Sequence, residues 1–300
     1  MPELPEVETV RASLERALVG ERLQRIDLRR PNLRFPFPER FAERLGGRTI
    51  EAVTRRAKYL RLHLDGGEIL VVHLGMTGRF ILAMAADGRA STGRGAVVGT
   101  YDRVSGHLAQ HDHVVFETAA GALVTYNDPR RFGYMLLVDG ATIESHPLFR
   151  ALGAEPLGTT LDAGALAARA AGRRADLKAF LMDQRNIAGL GNIYVCEALF
   201  RAGLSPRRRA GTIAGRTGRP NQKTERLLAG VRTVLSEAVA AGGSTLRDYR
   251  QPDGTSGAFQ DHHDVYDREG APCRRAGCPG TIRRVVQAGR STFYCPCCQT

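Results

Sequence analysis

Near the amino terminus, apolar residues recur at helical spacing (Val7, Val10, Leu14, Leu18), with Glu6 and Glu8 at the end of the run that favours negative charge and Gly20 able to stop it. The pattern predicts a helix from Pro5 to about Val19. Further on the period becomes two: Leu60, Leu62 and Leu64 alternate with polar residues, Asp65-Gly66-Gly67 turns the chain, and Ile69 to Leu74 returns. Val114 to Phe116 and Leu123 to Tyr126 make a second pair around Ala120-Gly121. Residues 83–110, rich in Gly, Ala, Ser and Thr without periodicity, read as a loop. From about Leu161 the texture is helical: Ala163 to Ala171, Leu177 to Asp183, Ile193 to Arg201, and Thr224 to Ala241 before Gly242-Gly243. Residues 243–264 read as a second loop. The sum is an α+β chain, a mainly β domain with an amino-terminal helix followed by helices and a cysteine-rich tail. No repeat of solenoid period is present, and no apolar run approaches the roughly 18–20 residues of a membrane-crossing helix.

Charge narrows the class of partner. The 300 residues, 43% of them apolar, suffice for one or two cores, and 43 Lys+Arg against 31 Asp+Glu leave a net +12. Residues 201–300 hold 17 basic and 8 acidic residues, so most of the excess sits there and a polyanion, nucleic acid first, is the expected partner. Met1 to Glu6 lacks the basic start and apolar core of an export signal, so a cytoplasmic protein is expected.

Five of the six cysteines crowd the tail as Cys273-x4-Cys278-x16-Cys295-x2-Cys298, with Cys297 inside the second pair. Two thiolate pairs around a hairpin that turns at Ala288-Gly289 suit a closed, structural Zn²⁺ site; a redox cluster is the other reading, and Cys297 could replace Cys298. Arg290 follows the turn, and Arg283 and Arg284 share a strand, placing guanidinium groups where a phosphate could meet them. Upstream, Gly189-Leu190-Gly191-Asn192 reads as a turn whose glycines let backbone approach a ligand, with Asn192 capping the next helix. At the start of the chain, removal of Met1 would make Pro2 a secondary amine with a pKa near ~8, able to attack a sugar anomeric carbon, with Glu3 and Lys58 as supporting groups. Met76 and Phe132 would ordinarily be core residues. In the turn motifs His73-Leu74-Gly75-Met76-Thr77-Gly78 and Asp128-Pro129-Arg130-Arg131-Phe132-Gly133 they are suited to wedge into the space left by a flipped base.

These motifs, with Met1-Pro2-Glu3-Leu4-Pro5-Glu6-Val7-Glu8-Thr9, Arg56-Ala57-Lys58-Tyr59-Leu60, Gly191-Asn192-Ile193-Tyr194 and Arg290-Ser291-Thr292-Phe293-Tyr294-Cys295, resemble bacterial formamidopyrimidine-DNA glycosylase from end to end. The resemblance implies a β-sandwich catalytic domain (1–140), a helix-two-turn-helix domain with a lesion loop (150–264) and a zinc hairpin (265–300), with DNA in a cleft between the halves. It implies Pro2 as the nucleophile at C1′, Glu3 as acid toward the sugar ring, Lys58 as the proton donor of β-elimination, and Arg290 for δ-elimination and a phosphate contact. It points to His111, Arg130, Arg174 and Asn192 for DNA binding. Met76, Arg130 and Phe132 would fill the gap and face the orphaned cytosine. One structural Zn²⁺ on Cys273, Cys278, Cys295 and Cys298 is implied, and a monomer acting on double-stranded DNA with oxidised purines or abasic sites. The x4 spacing of the first knuckle departs from the usual x2, Cys297 is extra, and the 83–110 loop is long. An endonuclease VIII-like enzyme for oxidised pyrimidines is the nearest alternative, although its members tend to begin Pro-Glu-Gly-Pro where this chain has Leu4. A non-catalytic zinc-containing DNA binder and an amino-terminal-proline tautomerase lie further off.

Overall fold

A computed structural model describes residues 1–84, 108–215, 217–245 and 256–300. The chain divides into two compact units, Met1–Arg150 with Ala241–Ala258, and Ala151–Ala240 with Phe259–Thr300.

The first unit opens with helix α1 (Leu4–Leu18), whose Val7, Val10, Leu14 and Leu18 are buried as their spacing predicts. Then come β1 (Leu23–Leu28), α2 (Phe41–Leu45), β2 (Ile50–Arg56), β3 (Tyr59–Leu64), β4 (Glu68–His73), β5 (Arg79–Met84), β6 (Asp112–Thr118), β7 (Ala122–Asn127) and β8 (Tyr134–Asp139). They form two antiparallel four-stranded sheets, ordered β1-β6-β7-β5 and β2-β3-β4-β8. Ile26, Phe80, Phe116 and Tyr126 of one sheet and Leu60, Leu62, Val72 and Met135 of the other enter a single apolar cluster with the α1 stripe. That is the expected sandwich with its amino-terminal helix.

Three local readings need correction. The alternation of Leu60, Leu62 and Leu64 with polar residues does not leave Arg61 in water: it is buried, its guanidinium lying 4.1 Å from the Phe149 ring centroid and pairing with Glu144 at 2.7 Å. β5 continues through Ala83 and Met84, and Ala109–His111 is a 3₁₀ turn, so both edges of the expected 83–110 loop are ordered structure; residues 85–107 lie outside the described ones. In the 243–264 loop, Ser244 bridges Ala258 and Phe259–His262 is a 3₁₀ turn, while residues 246–255 lie outside the described ones.

The second unit contains α3 (Ala163–Ala170), α4 (Leu177–Met182), α5 (Asn192–Ala202), α6 (Gln222–Ala240) and the hairpin β9 (Arg283–Gln287) to β10 (Arg290–Tyr294). The hairpin turns at Ala288-Gly289, both at positive φ. Buried Cys196 and Phe200 of α5 pack with Val265, Ile282, Phe293 and Cys295, so Cys196 is a core residue of the hairpin's footing. Glu197, fully buried, accepts the N–H groups of Asp264, Val265 and Tyr266 at 2.8–3.0 Å and fixes the approach to the hairpin. Among the described residues no helix is long and apolar enough to cross a membrane.

Candidate active site and nucleic-acid interface

Pro2 and Glu3 are buried at the head of α1. Glu3 is the N-cap. Its side chain accepts the Glu6 N–H, and Glu6 Oε2 accepts the Glu3 N–H at 2.7 Å, a reciprocal capping box that fixes the entry of the chain. The other Glu6 oxygen accepts the Ser244 N–H at 2.8 Å, tying the same helix start to the first residues of the 243–259 segment. Sequence reasoning read Glu6 only for its charge at the helix start; the structure makes it the link between that start and Ser244.

Lys58, 8% exposed, lies in the turn between β2 and β3, not ahead of the first strand. Ala57 before it adopts φ 52°, and Arg55 stabilises the turn by donating from Nη1 to the Ala57 carbonyl at 2.9 Å while its Nε reaches Glu8 of α1 at 2.8 Å. Burial works against the Glu8 carboxylate, but hydrogen bonds from Arg11 and Arg55 outweigh it and hold its pKa below the usual value. One charged link therefore sets the Lys58 turn against the helix that carries Pro2 and Glu3.

Beside this turn the sheet aligns Tyr59, His73 and Tyr134 across three strands. The His73 ring stacks on Tyr134 with centroids 5.1 Å apart, and its Nδ1 accepts the Gly75 N–H at 3.0 Å. Burial, with the charges of Lys58 and Arg34, lowers the His73 pKa to about 4, so near neutral pH the ring is an uncharged acceptor that shapes the Met76 loop.

Met76 and Phe132 are 40% and 41% exposed, and the Arg130 guanidinium lies 4.5 Å from the Phe132 ring centroid. Leaving such side chains in water forgoes roughly 1.5–3 kcal/mol each. Both loops that carry them are held on Asp128, fully buried, which accepts from the Thr77 hydroxyl at 2.5 Å and the Gly133 N–H at 2.9 Å. The loops touch through backbone, because a Cβ on Gly75 would lie 2.4 Å from the Phe132 carbonyl carbon. His111, half-buried at the head of β6, accepts the Asp128 N–H through its carbonyl at 3.0 Å. The segments that carry Met76, His111, Arg130 and Phe132 are thus tied to one residue, Asp128, through its carboxylate and its backbone N–H, a role that sequence reasoning did not single out.

In the second unit, Arg174 is exposed just before α4, and Arg290 is exposed at the first position of β10. Asn192 does not cap α5; Gly191 is the N-cap, and Asn192, the first helical residue, donates from Nδ2 to the Ser291 carbonyl at 3.0 Å. Lys178 Nζ donates to that carbonyl at 3.0 Å and to Thr292 Oγ1 at 2.6 Å, so the strand beginning at Arg290 is anchored to α4 and α5.

Cys273, Cys278, Cys295 and Cys298 bring their Sγ atoms within 4.8 Å of one another, with Cys273 to Cys298 at 3.8 Å and Cys278 to Cys295 at 3.7 Å. Tetrahedral zinc with Zn–S near ~2.3 Å requires sulfurs about 3.8 Å apart, so the set fits one structural Zn²⁺. Cys297 is exposed and outside the set, and the extra residues of the first knuckle are absorbed without displacing either ligand. A Cβ on Gly280 would lie 2.6 Å from Cys295 Sγ, so the knuckle closes only over glycine.

Comparison with known proteins follows the same division. Residues 1–135 match the formamidopyrimidine-DNA glycosylase N-terminal domain, 152–250 the formamidopyrimidine-DNA glycosylase H2TH domain, and 270–300 the zinc finger found in FPG and IleRS. Formamidopyrimidine-DNA glycosylases of Chelativorans sp. and Azorhizobium caulinodans are each 57% identical, with both chains covered in full. The crystal structure of the MutM (Fpg) protein of Thermus thermophilus superposes with a TM-score of 0.80 at 39% identity, covering 99% of this chain and 98% of that one. The Lactococcus lactis Fpg bound to abasic-site DNA gives 0.82 at 29% identity with full coverage of both. Sandwich, helical domain and four-cysteine hairpin together define a zinc-finger DNA glycosylase of base excision repair. The chain belongs to the formamidopyrimidine-DNA glycosylase family.

Proposed function

We propose that this protein is a bifunctional DNA glycosylase and abasic-site lyase that removes oxidised purines, 8-oxoguanine and formamidopyrimidines, from duplex DNA opposite cytosine. The carrying observation is the head of α1, where Pro2 and Glu3 are buried together, capped by Glu6, and linked through Glu8 and Arg55 to the Lys58 turn. A Lactococcus lactis Fpg variant bound to Fapy-dG-containing DNA, with a TM-score of 0.81 at 30% identity, supports the lesion class.

The chemistry follows from an amine. With Met1 removed, the Pro2 nitrogen attacks C1′, the base departs with its bonding electrons, and Glu3 protonates the opened sugar oxygen. The resulting iminium is permanently cationic because the amine is secondary, and it acidifies the C2′ protons. Loss of one such proton expels the 3′ phosphate, and a second elimination expels the 5′ phosphate. Lys58 serves the first elimination and Arg290 the second. Met76, Arg130 and Phe132 occupy the gap left by the flipped nucleotide, while His111, Arg174 and Asn192 hold DNA. The zinc hairpin positions Arg290 and takes no chemical step. Acting on chromosomal DNA, the protein works as a monomer in the cytoplasm, at the nucleoid.

Borohydride trapping tests the reading. Protein with a confirmed Pro2 terminus is incubated with a duplex carrying 8-oxoguanine opposite cytosine, reduced, and the cross-linked residue mapped. Attachment at Pro2 is expected. No cross-link on this duplex, with one on an oxidised-pyrimidine duplex, would reassign the protein to the endonuclease VIII branch.

A further inference from the structure

The mechanism leaves a group of arginines unused. Arg207, Arg209 and Arg226 are exposed, and among the described residues none of them, nor Arg174, has a carboxylate within ion-pair distance. Residues 173–177 run antiparallel to 208–211, with Leu177 N–H on the Arg208 carbonyl at 2.7 Å, Ala210 N–H on the Ala175 carbonyl at 2.8 Å, and a bridge between Asp176 and Arg209. Arg174 and the 207–209 run therefore lie on neighbouring backbones. Arg208, between the two exposed arginines, turns inward instead, donating to Thr212 Oγ1 at 2.8 Å and to the Thr300 carbonyl. The start of α6 is bonded to the same turn, Asn221 Nδ2 donating to the Thr212 carbonyl at 3.3 Å and Thr224 Oγ1 to the Ile213 carbonyl, which brings the α6 arginine Arg226 to the cluster; burial first, then the charge of Arg226, lowers the Arg208 pKa.

The cluster is continuous with the hairpin tip. Gln287, the register partner of Arg290, donates from Nε2 to Asp176 Oδ2 at 2.9 Å and to the Pro206 carbonyl at 3.5 Å. Asp176 is the acidic group of this seam, and its carboxylate is engaged by that amide. Glu225 precedes Arg226 in α6, where neighbours in sequence do not share a helix face.

Like charges crowded about a single carboxylate, none of them paired with it, are unfavourable alone and favourable against a polyanion. We infer that Arg207, Arg209 and Arg226 form a second phosphate-contacting patch that carries duplex DNA beyond the hairpin tip and adds sequence-independent affinity. This extends the DNA-repair reading above and rests on it.

The test is the salt dependence of binding by the full-length protein. The duplex carries a tetrahydrofuran abasic analogue, and the proteins compared are wild type, a triple Arg207→Ala, Arg209→Ala, Arg226→Ala variant, and the matching triple lysine variant. Each lost phosphate contact removes about 0.9 from the slope of log Kd against log salt, so the alanine variant should be shallower by about 2–3, while lysine keeps the wild-type slope. An unchanged slope in the alanine variant overturns the patch. An equal fall in the lysine variant also overturns it, since the loss would then follow shape and not charge. Failure of wild type to trap at Pro2 would sink the glycosylase reading alone, because the slope difference reads the patch without any chemistry.

Discussion

Thr77 Oγ1 donates to Asp128 Oδ1 at 2.5 Å, joining two loops whose tips expose Met76 and Phe132. Thr77 also accepts the Arg130 N–H at 3.2 Å, so one hydroxyl serves both loops. Asp128→Asn keeps the shape but turns an NH₂ toward a donor. Charge-assisted bonds of this kind contribute roughly 1.5–3 kcal/mol, and the variant should lose about that much unfolding free energy and excise 8-oxoguanine more slowly at saturating enzyme. Wild-type stability in denaturant would show that the carboxylate does not hold the loops.

Gly133 makes a related prediction about packing. A Cβ there would lie 1.8 Å from Tyr126 Oη and 2.8 Å from the His73 carbonyl oxygen. Gly133→Ala should therefore cost about 3 kcal/mol or more. Tyr126→Phe removes the nearer clash only, so the double variant should recover part of the loss. A double-mutant cycle with no coupling between the two positions would contradict the geometry.

How much of this was written in the sequence depends on how far apart the partners lie. Pro2-Glu3, the cysteine pairs and the β3–β4 hairpin are local patterns and were legible. The bonds Thr77 to Asp128 and Ser244 to Glu6 span 51 and 238 residues, and no local periodicity encodes them. β1 and β2 escaped for another reason. Their pairings shift register at Leu23/Arg25 and Ile50/Ala52, which breaks the alternation by which a half-buried strand is recognised. The resemblance supplied the roles of His111, Arg130 and Arg174; nothing in their spacing did.

Acid should weaken the protein through its buried histidines. Burial lowers His263, and burial with neighbouring charges lowers His73, each to about 4. The unfolded chain therefore binds protons that the folded chain refuses, and stability present above about pH 6.5 is lost as pH falls toward 4. For fully buried His263 the loss at pH 5 is on the order of 2 kcal/mol, with a smaller share from the partly exposed His73. Urea midpoints at pH 7 and pH 5 measure it. His263→Gln should reduce the pH dependence, and an undiminished difference in that variant would assign the effect elsewhere.

The fifth thiol of the tail gives a clean contrast. Cys298 lies in the tetrahedral set and Cys297 does not. Cys297→Ser should retain one zinc per chain, and Cys298→Ser should lose it. Chelation should likewise melt the β9–β10 hairpin and free Lys178 and Asn192 from the Ser291 carbonyl, weakening DNA binding. Metal analysis of the purified variants decides, and equal zinc content in both would remove Cys298 from the ligand set.

Glu6 joins the head of α1, which carries the proposed nucleophile, to the start of the segment 243–259, where the family resemblance implies the lesion loop lies. Its two oxygens accept from the Glu3 and Ser244 N–H groups at 2.7 and 2.8 Å. Glutamine preserves only one acceptor and faces the other N–H with an amide donor, so Glu6→Gln must release one partner at a cost of about 1–3 kcal/mol. The Glu3 bond belongs to a reciprocal cap at the positive end of a 15-residue helix and should persist, leaving Ser244 to be released. Removal of 8-oxoguanine should then fall several-fold, while cleavage of a preformed abasic site, which in the proposed mechanism uses the Pro2 amine without base recognition, should be retained. Equal loss of both activities would mean that the helix start was released instead, and that Glu6 acts on the nucleophile and not on the lesion segment.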